Sequence, residues 1–314
     1  FAIGAVDGKG VTDSVTGSST TRDEGLQAVY GFQIDLNTSF TGEDSLDVSI
    51  DAGNGSSTGA LSEFDLNGYG STSGNADKLT VDGVSYTFPL GDKMTVIVGD
   101  NTDGSALFTT ACVYGGPSNT LDDCANINAG ITGGGATIGA SYDLGSGFTV
   151  AAGAQFVETG IANKENADSY ALNLAYTYDN YGLSLTYANV EEGVDNDAYT
   201  ALNGYYSFDN GLNISAGYEF GSLDNAAATA DEKEAYFIGV NGEVGPGELG
   251  AALGTYGSMA EASGVMPERL MYEAYYSYPV NDGMTITPLI YTVEADGATD
   301  QDETGIMVKT SFSF

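Results

Sequence analysis

The sequence predicts an all-β fold, a closed antiparallel transmembrane β-barrel of about 16 strands with short turns at one end and long loops at the other. Three observations predict it. Apolar residues recur at every second position in segment after segment, connections alternate between short and long, and the face opposite the apolar one is small and polar rather than densely charged. Helical spacing is absent throughout.

Between Glu24 and Phe40, the residues Leu26, Ala28, Tyr30, Phe32, Ile34 and Leu36 alternate with Gln27, Val29, Gly31, Gln33, Asp35 and Asn37. That period of two is a strand with one apolar face. The pattern returns with Leu46, Val48 and Ile50, then on the even positions from Tyr170 to Tyr178 and from Leu212 to Phe220. The last segment gives Ile306, Val308, Thr310, Phe312 and Phe314 opposite Met307, Lys309, Ser311 and Ser313. Aromatic residues gather near the strand ends, as expected where an amphipathic ring sits between hydrocarbon and water.

Tight turns are expected at Thr41-Gly42, Pro89 to Gly91, Leu144 to Gly147, Asp179-Asn180, Asp209 to Gly211, Gly245 to Gly247 and Val280 to Gly283. Between them lie long polar segments at roughly 7–23, 53–77, 100–133, 158–167, 191–197, 221–232, 257–267 and 294–299. Seven short and eight long connections separate about 16 strands, and an even count puts both ends of the barrel strand series on one side. A strand of about 10 residues, tilted about 40°, covers a film roughly 25 Å tall. Residues 1–314 therefore read as one barrel domain, with the apolar stripes facing lipid and the polar ones a wet lumen.

Composition narrows the function. The chain has 44 Asp and Glu against 8 Lys and Arg, a formal net charge of -36, and neither His nor Trp. Mechanisms that need an imidazole are excluded, and so is a sheath for nucleic acid phosphates. Neither a phosphate-cradling loop nor a G-x-S-x-G elbow occurs, so the chain is not expected to be an enzyme. With 21 Tyr and 13 Phe it is no disordered acidic tail. A membrane-spanning helix is excluded because no run approaches 18 apolar residues. The abrupt start at Phe1, without a signal peptide, suggests a processed or truncated polypeptide. Cys112 and Cys124 are expected to form a local disulfide in an oxidising compartment.

The run Asn37 to Leu46 (NTSFTGEDSL), Asp51 to Asn54 (DAGN), Asp77 to Thr80 (DKLT) and Tyr86 to Val96 (YTFPLGDKMTV) resembles the barrel of cyanobacterial outer-membrane porins, the type related to carbohydrate-selective porins. The likeness is specific over about Phe32 to Val98 and a matter of pattern beyond. It implies the outer membrane of a Gram-negative-type cell, a homotrimer, outer-membrane lipid as partner, and passage of inorganic ions and small hydrophilic solutes. It also implies a periplasmic wall-binding domain, which is absent from this chain, so contact with cell wall is expected only through that domain. Phe314 matches the aromatic C-terminus that such proteins present to the insertion machinery.

The alternation assigns Asp35, Asp47, Asp51, Asp143, Glu219 and Glu273 to the lumen, against one base, Lys309. Rings of carboxylate favour cations along a wet path, so cation preference is expected. The alternative is that these acids only solvate the wall or accept structural hydrogen bonds. By the same resemblance, the segment 100–133 is the third outer loop, folded into the lumen, with Asp122 and Asp123 as candidate constriction charges. No cofactor is expected. Ca²⁺ could sit at the acidic outer loops, Asp195-Asn196-Asp197, Asp231-Glu232 and Asp300 to Glu303, although none has an EF-hand pattern. Two other readings stand beside this one: a sugar-permeating porin and a soluble acidic extracellular β-protein with a binding or structural role.

Overall fold

The computed structural model describes residues 1–7, 11–12, 19–20, 25–55, 61, 63, 76–161, 166–192, 195–224, 230–262, 268–295 and 302–313. Phe314, expected as an assembly signal, lies outside them, as do Asp300 and Gln301.

Alternating sequence becomes alternating geometry in a barrel whose staves follow chain order. The first is β1 (Ala2–Asp7), and β2 is interrupted at Tyr30, comprising Gln27–Val29 and Gly31–Thr38. There follow β3 (Ser45–Gly53), β4 (Thr80–Leu90), β5 (Met94–Asp100), β6 (Ala136–Gly145), β7 (Phe148–Phe156) and β8 (Asp168–Tyr178). Next are β9 (Tyr181–Glu192), β10 (Asp195–Ser207), β11 (Leu212–Ser222) and β12 (Ala230–Val244). A second interrupted stave, β13, comprises Gly247–Thr255 and Met259–Ala262, and β14 (Leu270–Asn281), β15 (Met284–Val293) and β16 (Glu303–Phe312) complete the ring. The 18 segments of this sheet thus make sixteen staves, close to the number that the connections predict. A small two-stranded sheet, Val11–Thr12 with Ser19–Thr20, stands apart.

All the pairings are antiparallel. The ring closes at β1, which pairs with β16 (Ala2 opposite Lys309) and with β2 (Ala2 opposite Val29). Closure satisfies backbone groups that lipid cannot. The seven expected tight turns all join neighbouring staves. Between β6 and β7, Gly145 (φ 84°) and Gly147 (φ 86°) flank Ser146 (φ 55°), a left-handed run that glycine makes cheap.

Exposure decides which way the stripes look. Leu172 on β8 is 59% exposed, Leu202 on β10 53% and Ile306 on β16 60%, whereas their neighbours Asn173 and Asn203 are 2% and 1% exposed. A water-soluble sheet does the reverse. A continuous belt of exposed Leu, Ile, Val, Phe and Tyr is stable only against hydrocarbon. Two apolar clusters do lie within. The larger gathers Tyr114, Leu121, Phe237, Met271, Tyr275 and Tyr291, and the smaller gathers Ala129, Ile131 and Tyr199. Both form where the segment 101–135 meets the wall.

One expectation needs correction. The segments 191–197 and 221–232 were expected as long loops, yet β9 and β10 stay paired as far as Glu192 opposite Asp195, and β11 with β12 as far as Ser222 opposite Glu232. Backbone pairing does not require an apolar stripe, so strands continue past the point where alternation fades. Asp195 to Asp197, Asp231-Glu232 and Glu303 therefore lie on strands rather than in loops.

Candidate functional site

Short polar side chains on the inward face hold the segment 101–135. The backbone N–H groups of Thr109, Ala111 and Val113 donate in turn to Asn173 Oδ1 on β8 (3.1 Å), Ser184 Oγ on β9 (2.9 Å) and Ser215 Oγ on β11 (3.1 Å). Every second amide of an extended chain points one way, so the segment crosses the staves with a bond at each step. Near its start, the Thr102 carbonyl accepts from Thr137 Oγ1 (2.6 Å) and Gln155 Nε2 (2.8 Å). Farther along, Tyr114 donates to Glu273 Oε1 on β14 (2.6 Å), with its ring between Phe237 (5.2 Å) and Tyr275 (5.9 Å). Cys112 and Cys124 are disulfide-bonded, with Cα atoms 6.5 Å apart. Two arms of the segment are thereby tied together while each grips the wall.

The predicted lumen acids all have inward register, but they fall into two groups. Asp35 on β2 is exposed and accepts from Gln33 Nε2 (2.7 Å) and Ser49 Oγ (2.8 Å). Half-buried Asp47 on β3 accepts from Ser45 Oγ (2.9 Å), and Asp143, exposed at the end of β6, accepts from the Gly145 amide (2.7 Å). Asp51 is buried, with Oδ1 enclosed and unpartnered. Glu219 and Glu273 are buried beneath the loop segment, bonded to Asn128, Ala129 and Tyr114. Lys309, half-buried on β16, lies opposite Thr287 and Ala2. Parity placed these residues on a face, and the covering loop then divided them.

Of the two candidate constriction acids, Asp122 is exposed and Asp123 half-buried. Burial pushes the Asp123 carboxyl up to about 7, and the nearby charges of Asp122 and Glu219 push in the same direction. Asp103, earlier in the segment, is raised by burial and then by Asp82. Burial and the adjacent Glu273 carboxylate likewise raise the Tyr114 hydroxyl.

Other charges turn inward that the sequence reading left out or, for Asp197 and Glu303, placed in outer loops. Glu248 on β13 accepts from Tyr275 (2.6 Å) and Asn241 (3.0 Å), and Glu303 on β16 accepts from Tyr291 (2.9 Å). Asp197 on β10 accepts from Tyr199 (3.1 Å) and from the Asp224 amide (3.0 Å), while Lys233 on β12 reaches the Tyr199 hydroxyl (3.4 Å). The signal was available as parity, since Asp197 and Tyr199 are two apart on one strand face. Among the described residues, no group of three acidic, His or Cys side chains is placed to hold a metal ion.

A family model described as Gram-negative porin matches residues 3–298. The chain belongs to the Gram-negative porin family. No curated protein sequence matches it. Solved porins share its fold at low identity. An anion-selective porin from Comamonas acidovorans is similar over 100% of this chain and 99% of its own, at 14% identity and TM-score 0.64. OprB of Pseudomonas putida is similar over 100% and 93%, at 12% identity and TM-score 0.65. OmpT of Vibrio cholerae, in a loop-deletion mutant, is similar over 100% and 98%, at 12% identity and TM-score 0.62. This porin is accordingly an outer-membrane β-barrel channel for solutes and not an enzyme, with the apolar belt against lipid and the loop-lined lumen as its path. The match is to Gram-negative porins, and neither a cyanobacterial source nor a relationship to wall-binding porins is part of it.

Proposed function

We propose that this porin is a passive, cation-preferring diffusion channel for inorganic ions and small hydrophilic solutes, working as a homotrimer in the outer membrane. One observation carries the preference. Asp35, exposed on β2, and Asp47, half-buried on β3, are hydrogen-bonded to the neutral donors Gln33, Ser49 and Ser45. Neutral donors bring no positive charge to cancel a carboxylate's field. The net charge of -36 adds a potential of the same sign at the mouth. The Comamonas acidovorans porin is described as anion-selective, so likeness of fold leaves the sign of selectivity open, and the reading rests on these side chains.

Reversal potentials across planar bilayers in a potassium chloride gradient test the reading. A potential of the sign for cation permeation is expected, largest in dilute salt because the screening length is about 8 Å at physiological ionic strength and shorter in brine. An anion-type potential would overturn it. Trimerisation is tested separately, by migration before and after heating and by mass in mild detergent.

A further inference from the structure

Glu219 sits on β11 with its side chain 1% exposed. Its Oε2 accepts the backbone N–H groups of Asn128 and Ala129, both at 2.8 Å, and its Oε1 accepts Asn128 Nδ2 at 2.6 Å. On the adjoining stave, Asn203 Nδ2 donates to the Cys124 carbonyl at 2.7 Å. Between these grips lies Gly217, which pairs with Asn203. A Cβ at Gly217 would stand 1.8 Å from the Cys124 oxygen, so the loop backbone rests directly on the strand. One carboxylate, one amide and one missing side chain thus hold the loop from Cys124 to Ala129, and Cys124 is itself bonded to Cys112.

We infer that Glu219 is a positioning residue, a latch that seats the inward loop and so fixes the width of the constriction, rather than a charge that permeating ions meet. The inference rests on the channel reading for its consequence but not for its geometry. A buried carboxylate is costly unless donors surround it, and here all three observed donors belong to the loop. Charge-assisted bonds of this type are roughly twice as strong as neutral ones. Loop and carboxylate therefore need each other. Glutamine is a weaker substitute: with its oxygen toward the two backbone amides its NH₂ faces Asn128, which must turn its own oxygen inward to accept, and the charge assistance is lost in either case.

Asn203 supplies the discriminating control, because Asn203→Ala removes a grip without changing charge. Hydrogen exchange on the folded full chain reads the latch without requiring conduction. In Glu219→Gln and in Asn203→Ala, the loop amides around Asn128 and Ala129 are expected to exchange about tenfold or more faster than in the parent, while the strand amides of β11 keep their protection. In bilayers both variants are expected to show current sublevels, with the fully open level retaining the parent's cation-to-anion permeability ratio. Unchanged exchange at Asn128 and Ala129 in Glu219→Gln overturns the inference. So does an altered permeability ratio without sublevels in Glu219→Gln alone, which is the behaviour of a pore-lining charge. Faster loop exchange in a barrel that conducts nothing would uphold the latch and overturn the channel reading, so the two fail separately.

Discussion

Two stretches of the same wall use similar sequence to different ends. On β8 to β11 the inward residues Asn173, Ser184, Asn203, Ser215 and Glu219 are almost wholly buried, because the segment 101–135 lies on them and takes up their hydrogen bonds. On β2 and β3 the inward residues Gln33, Asp35, Asn37, Asp47 and Ser49 are exposed or half-exposed and bond mostly among themselves. Both stretches alternate small polar with large apolar residues. On the proposed reading, the covered stretch is a scaffold that fixes a loop and the open one faces the solute path, so an acid on the first answers to local donors and an acid on the second to ions.

The comparison breaks most severely where the loop is tied down. Gly153 on β7 leaves room for the Gly104 carbonyl, which a Cβ would approach to 1.8 Å. Gly153→Ala is expected to displace the loop start and cost about 3 kcal/mol, the upper part of the usual overpacking range. Heat-modifiable gel migration against urea would show it, and a parent-like midpoint would mean the seat is not needed. Reduction of the Cys112–Cys124 bond, or replacement of both by Ser, is expected to cost about 2 to 3 kcal/mol for a separation of 12 residues. The staves of the open wall should be indifferent to either change.

Acid and base distinguish the two regions by sign. Asp123 has its carboxyl raised to about 7 by burial, so the seated loop holds a proton that the released loop gives up near the ordinary Asp value of about 3.9. Seating is therefore firmest in acid, weakens as pH rises from about 4 to about 7, and then levels off. Asp44, in the turn from β2 to β3, goes the other way. It accepts from Ser39 Oγ (2.6 Å), Tyr86 (2.6 Å) and Thr41 Oγ1 (2.7 Å), bonds that hold its carboxyl well below the usual range. That turn is stabilised above the ordinary carboxylate range and loses the contribution as pH falls. Protection factors, which divide out the intrinsic pH dependence of exchange, are expected to rise in acid for the loop and fall in acid for the turn. Asp123→Asn should abolish the first trend and leave the second intact.

The sequence showed parity but not exposure. Tyr170 to Tyr178 and Ile306 to Phe312 displayed their outward faces because lipid demands an unbroken apolar stripe, a local pattern. The seat of the loop is not local. Thr109 finds Asn173 at a separation of 64 residues, and Val113 finds Ser215 at 102, through side chains that look in sequence like any solvated wall. Glu219 and Asp35 were therefore alike as letters, each an acid at an inward position. Glu303 was hidden differently, since it lies at the start of β16 where polar residues on both faces blur the border between loop and strand.

The smallest effect is the one that sharpens the comparison most. Asp35→Asn with Asp47→Asn removes two charges from the open wall, at positions where the hydrogen-bond partners are side chains that tolerate an amide. Glu273→Gln removes one charge from beneath the loop, where Oε1 meets the Tyr114 hydroxyl and Oε2 is enclosed. Exposed carboxylates act on ions through water, so their loss is expected to lower the cation-to-anion permeability ratio only about twofold at physiological salt, and more in dilute salt. Glu273→Gln is expected to leave the ratio unchanged while loosening the Tyr114 anchor, since a buried charge is balanced by its own surroundings before any ion reaches it. If Glu273→Gln shifts the ratio as far as the open-wall pair does, cover by the loop does not separate structural acids from selective ones, and the division of the wall into scaffold and path fails.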